Sequence, residues 1–432
     1  MMLSVSEAEA RILKLCVPFG GPEDCEPVPL LAGRGRVLAQ AVLATRDVPH
    51  WDNSAMDGYA VRSPDCQSSD TAPQLTAPQL TIIDEVPAGT DAPQELHGGQ
   101  AARIFTGGVL PAGADAVVMQ EETERQGDRV IIKAAVKAGQ FVRKQGDYCR
   151  AGDPILSPGI RLGPAELAIA AANQTAELPV FRQPKVAILS TGNELVTVEQ
   201  PLKPGQIVDS NRYALAAFVE QLGAIAVPLG IVDDSREGVT QAVRVAIAQA
   251  DVVLSTGGVS VGDYDFVEDV LGELGATVAV RKVAIKPGKP LTVAQFSAET
   301  LNGLALGGEE RTQPVVYFGL PGNPVSALVG CWRFVAPALR TIAGRSPEAV
   351  RPQSVQAIAQ APLGGAGKRD NYLWGILRCT DGGYEFQPAS GHHNSANLIN
   401  LAGTTGLAIV PAGIAGIPAG QSVQVMVIQE LG

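Results

Sequence analysis

The chain has 432 residues, a formal net charge of -11, 46% hydrophobic and only 18% charged residues. That length leads us to expect two to four domains with sizeable cores rather than disorder. The acidic balance argues against a nucleic-acid partner, which requires a basic face, but leaves room for a small anion held by a few local lysines.

The first 45 residues read as a helix, a turn and a short helix ending near Leu43. The opening stretch, MMLSVSEAEARILKL, has the acidic residues of an amphipathic helix rather than the pattern of a signal peptide. No apolar run reaches the roughly 18 residues that a membrane span needs. The six cysteines are scattered without CxxC spacing and read as free thiols in a reducing compartment, so the expected location is cytoplasmic. From Asp47 to about Asp147, short apolar runs (Leu80–Ile83, Ala101–Phe105, Ala116–Met119, Val130–Ile132) alternate with Gly/Pro turns. This predicts a β-rich region, read as a small barrel. Within it TAPQL occurs twice in tandem over residues 71–80, as expected of an insertion in a surface loop.

A helix over Pro164–Asn173 and a strand over Glu177–Val180 follow. From Gln183 the chain alternates strands (Lys185–Leu189, Ala224–Ile231, Asp251–Leu254, Thr277–Ala284) with helices (Arg212–Leu222, Glu237–Ala250, Phe266–Leu274). A hairpin runs on to about Phe318, and a helix covers Pro324–Ala343. Such alternation marks a parallel α/β sheet covered on both faces. Short strands return after Arg351 and predict a final β domain.

Parallel sheets bind ligands beyond the carboxyl ends of their strands. Three exits carry small residues: Ser190-Thr191-Gly192-Asn193-Glu194, the run Ser255-Thr256-Gly257-Gly258 on to Ser260, Asp263 and Asp265, and Gly319-Leu320-Pro321-Gly322-Asn323-Pro324. Each is expected to present free backbone N–H groups before a helix, where anions bind. One Gly-rich turn alone is more often structural; three on one sheet edge point to an anion pocket. No GxxxxGK[ST] sequence occurs, so this is not a P-loop enzyme. In Lys286-Pro287-Gly288-Lys289-Pro290, two lysines flank a Pro-Gly turn and read as an oxyanion clamp. Glu194, Asp263 and Asp265 would repel an anion unless a cation such as Mg²⁺ bridged them. For Asp263, helix N-capping is an equal alternative.

Asp52-Asn53-Ser54-Ala55-Met56-Asp57-Gly58-Tyr59-Ala60 and Ile104-Phe105-Thr106-Gly107-Gly108 are dense motifs in the β-rich part, read equally well as site elements or as tight turns. Asp147 carries less information on its own. His392 and His393, adjacent in a strand, would face opposite ways and seldom share a metal.

Together these motifs resemble the molybdopterin molybdenumtransferases, the MoeA family, which includes the E domain of gephyrin and its plant counterparts. DNSAMDGYA, IFTGG with PAGADAVVMQEE, LSTGNEL, STGGVSVGDYDF, KPGKP and GLPGNPVSA occur in the family's order over nearly the whole chain. The resemblance implies an α/β plus β multidomain fold in four parts. These are a split N-terminal linking domain (1–46 and 146–182), a β-rich inserted domain (47–145), a parallel-sheet α/β molybdopterin-binding domain (183–345) and a C-terminal β-barrel domain (346–432). It implies a homodimer in which the insert of one subunit faces the α/β cleft of the other. It also implies a reaction that consumes adenylylated molybdopterin and molybdate and releases AMP and molybdenum cofactor, with Mg²⁺ present. The preceding adenylyltransferase and molybdoenzymes are implied as further partners, and no nucleic acid or membrane.

Carried over by motif, Asp57, Thr106, Asp147, Glu194 and Asp265 match the family's catalytic polar positions. Gly192, Gly257, Gly258, Ser260, Lys286, Lys289, Pro321, Gly322, Asn323 and Pro324 match its molybdate and pterin-phosphate site, with Arg369 and Ser395 lent by the C-terminal domain. Asp263, Asp265 and Glu194 are the implied Mg²⁺ ligands. Three departures stand out: long loops around 63–80 and 297–312, Trp374 where the family often has a second arginine, and no clean match for the family's serine, for which Ser395 is the substitute. The rival readings are the adenylyltransferase that precedes this step, a binding scaffold, and tungstate as the oxyanion.

Overall fold

The computed structural model describes residues 2–67, 77–90, 94–258, 266–304, 306 and 310–429. The chain forms two compact units, one of residues 1–40, 158–163 and 177–432, the other of residues 41–157 and 164–176.

The larger unit is built on a six-stranded sheet. Its strands are β1 (Lys185–Thr191), β2 (Ile225–Val232), β3 (Val252–Thr256), β4 (Thr277–Lys282), β5 (Pro290–Phe296) and β6 (Val315–Leu320), in the order β2-β1-β3-β6-β5-β4. The first four in that order are parallel, as the alternation predicted, and β5 and β4 add antiparallel at one side. Alternate residues face opposite layers. Val186, Ile188, Val252, Leu254, Val316 and Phe318 join one core. Ala187, Leu189, Val253, Val315 and Tyr317 join the other. This two-sided burial is why these strands read as near-continuous apolar runs.

Helix α1 (Ser210–Gln221) and the long helix Pro324–Ile342 cover the first face, and α2 (Arg236–Gln249) and α3 (Val267–Glu273) the second. The long helix contains one π-helical turn over Cys331–Val335. It is 19 residues long and apolar enough to cross a membrane, yet most of it is buried inside the protein. The N-terminal helix Val5–Leu15 packs on the first face through Val5, Ala8 and Ile12, and Ser4 and Glu7 close its start as a capping box.

Residues 354–427 close a five-stranded barrel. Strand Asp370–Thr380 pairs with both Gly383–Pro388 and Gly406–Val410, and the ring is completed through Ser354–Ala359 and Ser422–Val427. Leu373 and Leu377 point into the barrel, whereas Tyr372 and Trp374 join the core of the α/β sheet, so one strand belongs to both layers.

In the smaller unit the expected strands appear at Gln79–Val86, Gln100–Ile104, Ala116–Met119 and Arg129–Ile132. They form a mixed six-stranded sheet with Gly58–Val61 and Thr123–Gln126 that runs open from Ala116–Met119 to Thr123–Gln126, with no pairing between these ends among the described residues. The barrel expected here is therefore an open sheet. Short Gly/Pro-punctuated strands fit both, and only edge pairing separates them. The short helix expected near Leu43 is also absent: Leu30–Gly33 is a single 3-10 turn, and Val42–Leu43 is a strand paired with Pro154–Leu156. That strand pairing outweighs the weak helical propensity of the segment. The first TAPQL copy lies outside the described residues; from the second, Gln79 and Leu80 open a strand. All six cysteines are unpaired.

Arg182 ties the start of the sheet to the N-terminal segment. It donates to both carboxylate oxygens of Asp251 at 2.8 and 2.9 Å and to Asp24 at 3.0 Å, and stacks on Phe19 at 3.9 Å. Both aspartates are buried. Arg182→Met should destabilise the larger unit by about 3 kcal/mol, because buried Asp24 loses its cation and Asp251 keeps only Arg311 at 3.6 Å. Thermal unfolding checks this, with a drop of several degrees expected and paired loss of the Asp251 contacts visible in a crystal structure.

Candidate functional site

The register of the parallel strands aligns the carboxyl ends. Ser190 of β1 lies beside Thr256 of β3, which lies beside Leu320 of β6. The three small-residue exits therefore leave one edge together. Gly257 has φ +90°, and a Cβ there would lie 2.3 Å from the Thr191 carbonyl oxygen, so only glycine fits this crossing. Gly322 approaches Gly257 closely from the third exit, and Asn211 donates its side-chain amide to the Gly322 carbonyl at 2.8 Å.

These residues line a cavity of about 730 Å³ with Thr191, Gly192, Glu194, Gly257, Gly258, Pro321, Gly322, Asn323 and Pro324 in its walls. The third exit runs directly into a helix at Pro324, as expected. The first does not: a short parallel ladder between Leu195–Val196 and Ile207–Val208 precedes helix α1. The excursion brings Asp209, the N-cap of α1, into the wall. For the second exit, Ser260, Asp263 and Asp265 lie outside the described residues.

A second cavity of about 490 Å³ shares Pro290, Pro321 and Asn323 with the first. Lys286, Lys289, Arg369 and Ser395 line it together. Their convergence has a backbone cause. Ile285–Lys286 forms a short parallel pairing with the barrel strand at Asp370–Asn371, which sets Arg369 beside the lysine turn. Ser395 accepts from the Asn323 side chain at 3.2 Å, and its carbonyl accepts from the Val325 amide at 3.2 Å. Trp374 is buried in this wall, donates to Asn400 at 2.9 Å and lies 4.4 Å from the His393 ring. Burial pushes His393 below its ordinary value, the opposing influence being its contact with the Ala389 carbonyl. Among the described residues Lys286, Lys289 and Arg369 make no carboxylate ion pair, which leaves three positive groups lining a small volume.

Two acidic residues of the first cavity were not singled out from the sequence. Asp209 is buried, and its Oδ2 has no hydrogen-bond partner among the described residues. Burial, and then Glu194, push the Asp234 carboxyl above its ordinary value. Asp234 follows the neighbouring strand β2, 40 residues from Glu194, and no local motif links the two.

In the smaller unit, the two dense motifs are zipped together. Gly107 donates to the Ser54 carbonyl at 2.8 Å and Ser54 to the Gly108 carbonyl at 3.0 Å. One oxygen of Asp57 accepts from both the amide and the hydroxyl of Thr106, each at 2.7 Å. Asp147 is placed differently. It closes its own turn by accepting from the Lys144 amide at 2.8 Å, while Lys144 pairs with Asp52 at 3.0 Å. Arg103, also not foreseen, donates to the Gly58 carbonyl at 2.8 Å and stacks over Phe105.

Fold and site together define a multidomain protein whose α/β domain carries a Gly-lined cavity at the carboxyl ends of its parallel strands. Comparison with known proteins gives the family. Residues 3–173 match the MoeA N-terminal region (domain I and II), 187–341 a probable molybdopterin binding domain, and 356–428 the MoeA C-terminal region (domain IV). A molybdopterin molybdenumtransferase from Nostoc sp. is 47% identical over 98% of this chain and 94% of its own. One from Bacillus subtilis is 32% identical over 99% and 94%. A crystal structure of the molybdopterin biosynthesis moeA protein from Pyrococcus horikoshii OT3 superposes with a TM-score of 0.81 at 27% identity, covering 99% of this chain and all of that one. The chain belongs to the molybdopterin molybdenumtransferase family.

The Asp57 carboxyl is held below its ordinary range first by the Thr106 amide and then by the Thr106 hydroxyl. Because the folded value is the lower one, the stabilising contact is present above the ordinary carboxylate range and is lost as pH falls through the lowered value. Thr106→Val keeps the amide and removes the hydroxyl. The Asp57 midpoint should then rise part of the way to the ordinary value in an NMR titration of the carboxyl carbon; an unmoved midpoint would contradict the assigned contact.

Proposed function

We propose that this chain inserts molybdenum into adenylylated molybdopterin, consuming molybdate and releasing AMP and molybdenum cofactor. The observation that carries the proposal is the convergence of Lys286, Lys289 and Arg369 on one small cavity that opens onto the Gly-lined strand exits. Molybdate is a compact tetrahedral dianion. Lysine ammonium groups suit it as point charges, and Arg369 adds planar donors. The neighbouring cavity, with backbone free of Cβ atoms at Gly257 and Gly258, suits the pterin's phosphate. The pterin's dithiolene supplies soft sulfur to the metal. Binding the two substrates in adjoining cavities makes their reaction effectively intramolecular, so the protein's part is positioning and electrostatics.

Mg²⁺ fits the first cavity in a limited way. Glu194 and Asp234 line it, Glu194 adds to burial in pushing the Asp234 carboxyl above its ordinary value, and the Asp209 oxygen left without a partner among the described residues adds to that concentration of carboxylate. Among the described residues no group of three ligating side chains gathers, so the fit is to an ion held by one or two carboxylates and by substrate phosphate. When bound, the ion would neutralise the anhydride's charge. Asp263 and Asp265 complete the proposed ligand set from outside the described residues.

We assign Asp57, Thr106 and Asp147 to the same reaction in a homodimer, with the β-rich insert of one subunit serving the α/β cleft of the other. The four-part domain division and a cytoplasmic location belong to the same reading, as do molybdoenzymes and the preceding adenylyltransferase as partners. Purified protein should release AMP from adenylylated molybdopterin only when molybdate is added. Adenylylation of molybdopterin from ATP alone would place the chain at the preceding step instead.

Lys286→Ala and Lys289→Ala should each weaken molybdate binding about tenfold or more, as loss of a charged contact of about 1.5–3 kcal/mol implies, with pterin binding nearly intact. Calorimetry with each ligand separates the effects, and equal loss of both would assign the lysines to the phosphate. Asp57→Ala should lower turnover without changing the dimer mass measured by light scattering.

A further inference from the structure

Three arginines of the larger unit, Arg161, Arg340 and Arg345, gather away from both cavities, and none of them pairs with a carboxylate among the described residues. Three chain segments build the cluster. The long helix ends with Arg340 in its last turn, and Gly344, at φ +75°, reverses the chain so that the Arg345 amide donates to the Arg340 carbonyl at 3.0 Å. The Ser346 amide donates to the Gly159 carbonyl at 3.0 Å, which presses residues 158–163 against this turn. Val37 bridges to Arg161, and a Cβ at Gly35 would lie 3.5 Å from the Arg161 guanidinium.

The donors of this cluster exceed the acceptors around it. Arg340 gives one Nη1 bond to the Val350 carbonyl at 3.2 Å, and Arg161 gives its Nε to the Gly35 carbonyl at 3.3 Å. The Nε atoms of Arg340 and Arg345 are buried with no hydrogen-bond partner among the described residues. Like charge compounds the cost of burying Arg340 and Arg345. After burial, the influence lowering Arg340 is Arg345 and then Arg161, and that lowering Arg345 is Arg161. The helix C-terminus favours a cation here, but its half charge does not offset three.

We infer that Arg161, Arg340 and Arg345 form a binding site for a phosphate-type tetrahedral oxyanion, distinct from the proposed molybdate cavity. Guanidinium forks match the oxygens of such an anion and tolerate partial burial better than ammonium groups do. The site is held by the turn that ends the long helix, so an occupied cluster also clamps residues 158–163 to it.

The test compares thermal unfolding in inorganic phosphate with unfolding in sodium chloride at equal ionic strength. It uses the full chain, Arg345→Gln, Arg161→Gln and Lys286→Ala/Lys289→Ala. Millimolar phosphate should raise the midpoint of the unaltered chain by about 2–4 °C over chloride. The increment should vanish in Arg345→Gln and Arg161→Gln and persist in the double lysine variant. In chloride alone, Arg345→Gln should melt no lower than the unaltered chain, since repulsion is relieved. Isothermal titration with phosphate should report one site lost in the arginine variants. A phosphate increment that survives in both arginine variants would overturn the proposal, as would one lost only with the lysines. So would a change of oligomeric mass in Arg345→Gln with no phosphate effect, which would mean that a carboxylate of another copy covers the cluster.

Discussion

The site depends on one constraint, the in-register parallel pairing of Lys185–Thr191, Val252–Thr256 and Val315–Leu320. Parallel strands end on the same edge only if every crossover returns over a face of the sheet, and the two apolar layers enforce that return. The three exits then arrive within contact of one another. Gly257 crosses so close beneath the Thr191 carbonyl that a methyl group there would lie 2.3 Å from the oxygen. The chemistry of the edge is thus a packing result first: backbone exposed to a ligand because no side chain fits.

The same constraint explains how the C-terminal barrel contributes. Strand Asp370–Thr380 sends Tyr372 and Trp374 into the core of the sheet and Leu373 and Leu377 into the barrel. Its first residues pair with Ile285–Lys286, just ahead of the Pro-Gly turn between the two lysines. Arg369 sits one residue before this shared strand, in a tight bridge with Ala366, so the start of the strand sets it beside the lysines. Trp374, where a second arginine was expected, fills the wall behind them and fixes the His393 ring by contact. The cavity therefore has three cations, not four, with an aromatic back wall in place of a further charge.

How much was legible in the sequence follows from how local each signal was. Strands buried on both faces announced themselves as apolar runs, and the sheet formed as read, with the antiparallel pair at one side as the addition. The grouping of Lys286, Lys289, Pro321, Asn323, Arg369 and Ser395 was legible through motif resemblance and is realised in one cavity. Asp209 and Asp234 were not legible, because their place in the wall follows from parallel register and from an excursion before a helix, neither of which leaves a local pattern. Asp57 and Thr106 meet as their turn chemistry allowed, whereas Asp147 is bonded within its own turn. The open sheet taken for a barrel failed for the same reason: closure is a property of two distant edges. Ser260, Asp263 and Asp265 fall outside the described residues, so their part rests on motif resemblance alone.

Several cations outside the cavities have an identifiable structural role in this acidic chain. Arg182 neutralises Asp24 and Asp251 beneath the sheet, and Arg333 pairs with Glu9 to fix the N-terminal helix against the long helix. In the cavity, Lys286, Lys289 and Arg369 face solvent space with the barrel and the sheet edge on either side. Paired arginines elsewhere show that the fold supplies carboxylates where cations serve only structure. At the lysine turn and at the end of the long helix no carboxylate pairs with the cations among the described residues, and an outside anion is the partner that the two proposals give them.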